Sequence, residues 1–94
     1  MILGYREQRT ESFAAGSFVR AFQGIEAQAA RRLSILNAAT SLDTLRRLPS
    51  NRLEALRGAR AGQYSIRINR QWRVCFTWEA GESGPSDVEI VDYH

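Results

Sequence analysis

Three residues able to do acid-base work stand in succession: Asp92, Tyr93 and His94, the last being the single histidine of a 94-residue chain. An imidazole with an ordinary pKa of about 6.5 exchanges protons near neutrality and can serve as acid or base, while a neighbouring carboxylate can orient or polarise it. Tyr93 adds a flat ring for stacking and a hydroxyl. All thirteen basic residues are arginine, whose planar fork meets phosphate with paired hydrogen bonds. Among them, Arg67 and Arg73 lie in runs that read as adjacent strands. Proton transfer at an anionic group, with arginines as its clamp, is the chemistry these types allow. Each feature also has a plainer explanation: genome composition for the arginines, fraying for a histidine in this position, packing for a tyrosine at a strand end.

The elements that must position these groups follow from composition and periodicity. A chain that is 44% hydrophobic and 24% charged is not disordered, and its length suits one compact domain over residues 1–94. The net charge of +3 allows an anionic partner without requiring one. No apolar run approaches the roughly 20 residues that span a bilayer, no charged start leads into an apolar stretch of signal-peptide kind, and Cys75 has no second cysteine to bond. A soluble protein of the reducing cytoplasm, without a membrane partner, is the expectation.

Residues 1–5 read as a short apolar strand, and residues 6–13 as weakly helical with Gly16 as a stop. From Ile25, apolar positions recur at Ala29, Leu33, Leu36 and Thr40, one stripe of an amphipathic helix. Thr40 and Asp43 resemble a capping box that starts a short helix ending before Pro49. Four runs rich in β-branched and aromatic residues follow, 52–57, 63–68, 72–78 and 87–92, separated by turn-forming segments. An antiparallel meander on N-terminal helices, an α+β domain, is expected.

Register then places the arginines. In the second of these runs Tyr64, Ile66 and Ile68 share a face, and in the third Trp72, Val74, Phe76 and Trp78 do. A loop of three residues, Asn69 to Gln71, sets these apolar faces together and thereby sets Arg67 against Arg73. Like charges directly opposite are unfavourable unless compensated. A phosphate would compensate; so would Glu54 or Glu89 from neighbouring strands. If Asp87, Glu89, Val91 and Tyr93 share the polar face of the last strand, Tyr93 lies beside or diagonal to Arg73.

Three separated segments carry a family resemblance: Asn51 to Gly58 (NRLEALRG), Gly62 to Phe76 (GQYSIRINRQWRVCF) and Val88 to His94 (VEIVDYH). They resemble the "RL…L(K/R)G", "G-x-(Y/W)-S-I-R-(I/V)-N-x-(Q/N)-(W/Y)-R" and "V-D-Y-H" segments of the HigB toxins, of the RelE/ParE superfamily. With Ala38 to Leu45 upstream, the likeness runs along the whole chain and is loosest at residues 6–24.

The resemblance implies a RelE-like microbial ribonuclease fold and cleavage of mRNA on the ribosome. It also implies silencing by a HigA-type helix-turn-helix antitoxin, with operator DNA contacted only through the antitoxin complex. RNA can be cut through its own 2′-hydroxyl, given a base for that hydroxyl, an acid for the leaving 5′-oxygen and cations for the charge on phosphorus. On that reading Asp92, Tyr93, His94 and Arg73 are catalytic, and Arg57, Arg60, Arg67 and Arg73 hold RNA phosphates. No cluster of metal ligands stands in the sequence, and neither metal nor cofactor is expected. Glu54 departs from the pattern: many relatives carry histidine there, so Glu54 is an auxiliary candidate for the base. Two other functions stay open, a non-enzymatic toxin that binds a protein target and a co-repressor that contacts nucleic acid only through its arginines.

Overall fold

The computed structural model describes residues 1–93, so the expectations placed on His94 lie outside the described residues. Helices α1 (Gln8–Ala14), α2 (Glu26–Ala38) and α3 (Leu42–Arg46) precede strands β1 (Glu54–Ala55), β2 (Tyr64–Arg67), β3 (Trp72–Thr77) and β4 (Ser86–Asp92). The strands form one antiparallel sheet in the order β1-β2-β3-β4, the expected meander.

The apolar stripe of α2 is the one its spacing predicts, with Ala29, Leu33 and Leu36 buried. These meet Ile66, Val74, Phe76, Val88 and Ile90 from the inner face of the sheet. Phe22, from a 3-10 turn before α2, seats its ring edge-on against Trp72 at 5.8 Å and Phe13 at 5.5 Å, a favoured aromatic geometry. The other sheet face is left for polar side chains.

Several boundaries differ from the sequence expectation. The chain turns extended at Ala39, so Thr40 lies beyond α2 and Ala39 takes the buried place. The cap of α3 is Ser41, whose Oγ accepts the Thr44 N–H at 3.2 Å, one residue later than the Thr40–Asp43 box. Ser41 is the residue in extended conformation that a helix cap requires, and Asp43 pairs instead with Arg47 at 2.9 Å. The run 52–57 contributes only the two-residue β1: Arg52 is held left-handed at φ 45° and ψ 54°, which delays the strand, and the chain enters a 3-10 turn at Gly58. That turn is anchored by Asn51, wholly buried, whose Nδ2 donates to the Leu45 carbonyl at 3.0 Å and whose Oδ1 accepts from Arg32 at 2.8 Å.

Residues 1–5 form no strand of the meander. The segment instead runs parallel along the outer edge of β4 through a bridge between Tyr5 and Val88. The N–H of Leu3 donates to Pro85, that of Val88 to Gly4 and that of Arg6 to Val88, at 2.8 to 3.1 Å. Thr10 on α1 completes the edge: its buried hydroxyl accepts the Ile90 N–H at 3.1 Å and donates to Glu7 at 2.7 Å.

Replacing Thr10 by isosteric valine strands the Ile90 N–H without a partner, and the loss expected is about 1–3 kcal/mol. Urea unfolding of Thr10→Val against wild type checks it; an unchanged midpoint would show that water or local movement satisfies the amide.

Candidate functional site

The core decides where the arginines stand. Ile66 faces Val74 and Tyr64 faces Phe76, and the same ladder sets Arg67 opposite Arg73 and Ser65 opposite Cys75. The three-residue loop closes as expected, with the Ile68 N–H donating to the Trp72 carbonyl at 2.9 Å. Asn69 fixes it: its side-chain oxygen accepts the N–H groups of Gln71 and Trp72 at 2.8 and 2.9 Å, a local turn motif suited to asparagine.

Both arginines are held by oxygens of the protein. Arg73 donates through Nε to the buried Ser65 hydroxyl at 2.6 Å and through Nη2 to the Arg52 carbonyl at 2.6 Å. Arg67 donates through Nε to the Asn69 carbonyl at 3.1 Å. A guanidinium carries five N–H donors, so these bonds orient each group and leave donors for an incoming acceptor.

Neither candidate carboxylate neutralises the pair. Glu89 faces Cys75 in the ladder and is taken by Arg60 at 3.3 Å and Arg6 at 3.8 Å. Glu54 lies opposite Ser65 on the same sheet face, exposed to solvent. Among the described residues no ion pair involves Arg67 or Arg73. Cys75 sits wholly buried beneath this charged layer; burial pushes its thiol up, against the opposing pull of Arg60, so it stays protonated and unreactive.

Tyr93 is the centre around which the candidate residues gather. Its N–H donates to the Gln71 carbonyl at 2.6 Å, and Gln71 in turn donates to Asp92 at 3.0 Å, so the loop that sets the register also holds the end of β4. The Arg73 guanidinium lies 5.8 Å from the centroid of the Tyr93 ring, diagonal in the sheet as the parity of β4 predicts. That parity reaches Val91 and Glu89 but not Asp87, since the register shifts between Cys75 and Thr77 and Asp87 adopts φ 51°. The shift has the form of a β-bulge, where a residue's facing is set locally.

Tyr93 borders three depressions. The first, about 300 Å³, is lined by Arg52, Arg67, Asn69, Arg70, Arg73 and Tyr93. The second brings Glu54 and Arg57 to the same ring, and the third Arg60 and Asp92. Among the described residues Arg60 is the expected cation engaged in an ion pair, with Glu89, and it is bound also to Gln63 at 2.9 Å. The structure thus gathers the expected residues that it describes around one exposed tyrosine. Arg52, Asn69 and Arg70 were not singled out from the sequence. Period-two reasoning assigns faces along strands and is silent about a left-handed turn or a loop tip; the signal available was their place inside the quoted motifs.

Residues 13–94 match a family model described as the RelE-like toxin of the type II toxin-antitoxin system HigB. The protein Toxin HigB-1 of Vibrio cholerae serotype O1 is 47% identical over 51 residues, 54% of this chain and 54% of that protein. An uncharacterized protein of Haemophilus influenzae is 38% identical over 53 residues, 56% of this chain and 52% of that protein. The chain therefore spans about half the length of these curated relatives in its matches. In fold it resembles the YoeB/ParE toxin from Agrobacterium tumefaciens, with a TM-score of 0.60 over 99% of this chain and 98% of that one at 14% identity. The helices and antiparallel sheet are those of a RelE-like fold, and by the family match the chain belongs to the HigB-like toxins of type II toxin-antitoxin systems.

Proposed function

We propose that this chain acts in the cytoplasm as one toxin domain, residues 1–94, that cleaves mRNA at the ribosome and is silenced by a HigA-type helix-turn-helix antitoxin. The observation that carries the reading is the facing pair Arg67 and Arg73, oriented by protein oxygens, in no ion pair among the described residues, and bordered by the exposed ring of Tyr93. Preorganised cations beside an aromatic face suit a splayed single strand, whose base can stack while its phosphate is clamped.

In the reaction, the 2′-hydroxyl attacks the adjacent phosphorus, a base removes its proton, and the bond to the 5′-oxygen breaks as an acid protonates that oxygen. One product ends in a 2′,3′-cyclic phosphate and the other in a 5′-hydroxyl. Arg67 and Arg73 stabilise the charge that develops on the equatorial oxygens. His94 serves as one proton-transfer group with Asp92 orienting it, and Glu54, on the sheet face of Arg67 and Arg73, supplies a carboxylate for the other. Tyr93 stacks and directs its hydroxyl to the phosphate. Arg57 and Arg60 extend the cationic surface toward flanking phosphates, and operator DNA is reached only within the antitoxin complex.

Changing Tyr93→Ala together with His94→Gln is expected to suppress mRNA cleavage by about 10²–10⁴-fold, while the stability of the protein, Tyr93 being exposed, changes by no more than about 1 kcal/mol. Ribosome-programmed cleavage of a defined mRNA, with thermal melts as control, reads both; a normally folded double variant that cuts at the wild-type rate would move the chemistry to Glu54 and the arginines. No cleavage by wild type, with growth still inhibited, would favour a toxin that binds a protein target.

The partner is tested in cells. Expression of the chain alone is expected to slow growth and to generate new mRNA ends by primer extension, and co-expression of the neighbouring helix-turn-helix protein to restore growth through a stable complex. Normal growth and intact mRNA at high toxin level would count against the whole reading.

A further inference from the structure

Beyond the pair that faces across β2 and β3, the first depression holds two more cations. Arg52 and Arg70 line it with Arg67 and Arg73, and among the described residues no carboxylate belongs to its lining. Four arginines border about 300 Å³, more positive charge than one phosphodiester, carrying a single negative charge, can balance. We propose that this depression holds two consecutive phosphates of a single-stranded RNA, the reacting one at Arg67 and Arg73 and its neighbour at Arg52 and Arg70. The inference rests on the ribonuclease reading and adds a second phosphate subsite to it.

The backbone of Arg52 supports the assignment. At φ 45° and ψ 54° the chain is left-handed, a conformation that favours glycine or asparagine over a long side chain. The carbonyl that Arg52 gives to Arg73 would be supplied equally by glycine, so holding Arg73 does not account for the guanidinium. A phosphate in the depression does.

Arg70 sits at the tip of a loop that is pinned on three sides. Asn69 accepts from Gln71 and Trp72 through its side-chain oxygen, donates to Gln28 on α2 at 3.3 Å and accepts from Arg67 through its carbonyl. Among the described residues the Arg70 side chain makes no hydrogen bond or ion pair, and it is exposed. A rigid loop that carries a cation to the rim costs little to order when the anion arrives. Tyr93, on the same rim, gives the intervening base a face to stack on.

The test uses a short 2′-O-methyl RNA, which cannot be cut, with binding to the purified chain read by fluorescence anisotropy across a salt series. Arg70→Ala is expected to bind roughly tenfold more weakly, and its salt dependence to fall by about 0.7 in log-log slope, the amount for one single-strand phosphate contact. Arg52→Gly keeps the carbonyl and relaxes the backbone, so it should melt no lower than wild type yet show the same loss of slope. Replacing single linkages by neutral methylphosphonate identifies the neighbour: at one linkage the substitution should weaken wild type and leave Arg70→Ala unaffected. An unchanged slope in both variants overturns the subsite, as does a loss that persists whichever linkage is neutral. If Arg70→Ala weakens only antitoxin binding, the depression is a protein-docking site and the proposal falls. Wild-type cleavage of mRNA is measured in parallel: cleavage without phosphate coupling removes the second subsite alone, and coupling without cleavage removes the ribonuclease reading alone.

Discussion

Arg67 and Arg73 face each other because Ile66 and Val74 must. Side chains alternate strictly along a strand, so once the apolar members of β2 and β3 enter the core, their polar neighbours are committed to one another on the opposite face. Sliding the hairpin by one residue would bury a guanidinium and expose Ile66, exchanging a favourable burial for the desolvation of a charge. The electrostatic discomfort of the cation pair is therefore underwritten by hydrophobic burial several ångströms away. The site is held in place by the stability of the sheet and needs no carboxylate of its own to fix it.

The arginines of this chain fall into distinct physical roles. Arg32 is part of the scaffold: burial lowers its pKa, Arg31 adds to that, and its Nη1 is spent on Asn51. Through Asn51 this contact ties α2 and α3 to the turn in which Arg52 is held left-handed. Arg60 and Arg6 converge on Glu89 and roof the buried Cys75. Arg67 and Arg73 spend only part of their donors within the protein. A uniform residue type thus supports different tasks, separated by how many of its donors the fold consumes.

What could be read from the sequence follows the same division. The faces of β2 and β3, the three-residue loop and the stripe of α2 were legible because regular backbone repeats its geometry, and apolar spacing reports that geometry directly. The diagonal approach of Tyr93 to Arg73 was legible for the same reason. Arg52 and Arg70 were not, since a left-handed residue and a loop tip are positioned by distant partners, Asn51 with Arg32 in one case and Asn69 with Gln28 in the other. The cap at Ser41 was missed by one residue because Thr40 has equal chemistry, and only the extended turn at Ala39 decides between them. The parallel lie of residues 1–5 could not follow from their own composition, because it depends on bonds to β4, more than eighty residues away.

That N-terminal segment also governs what the sheet can join. By bonding to Pro85 and Val88, with Thr10 of α1 taking the Ile90 N–H, it covers amides and carbonyls along the outer edge of β4 that would otherwise template pairing with a second chain. The arrangement admits no side chain at Gly84, where a Cβ would fall 1.8 Å from the Met1 carbonyl oxygen. Even an alanine there must displace the backbone at Met1, the first residue of the segment. A glycine remote from the arginines thus helps keep that edge covered, and an uncovered edge is one to which a neighbour's strand can add.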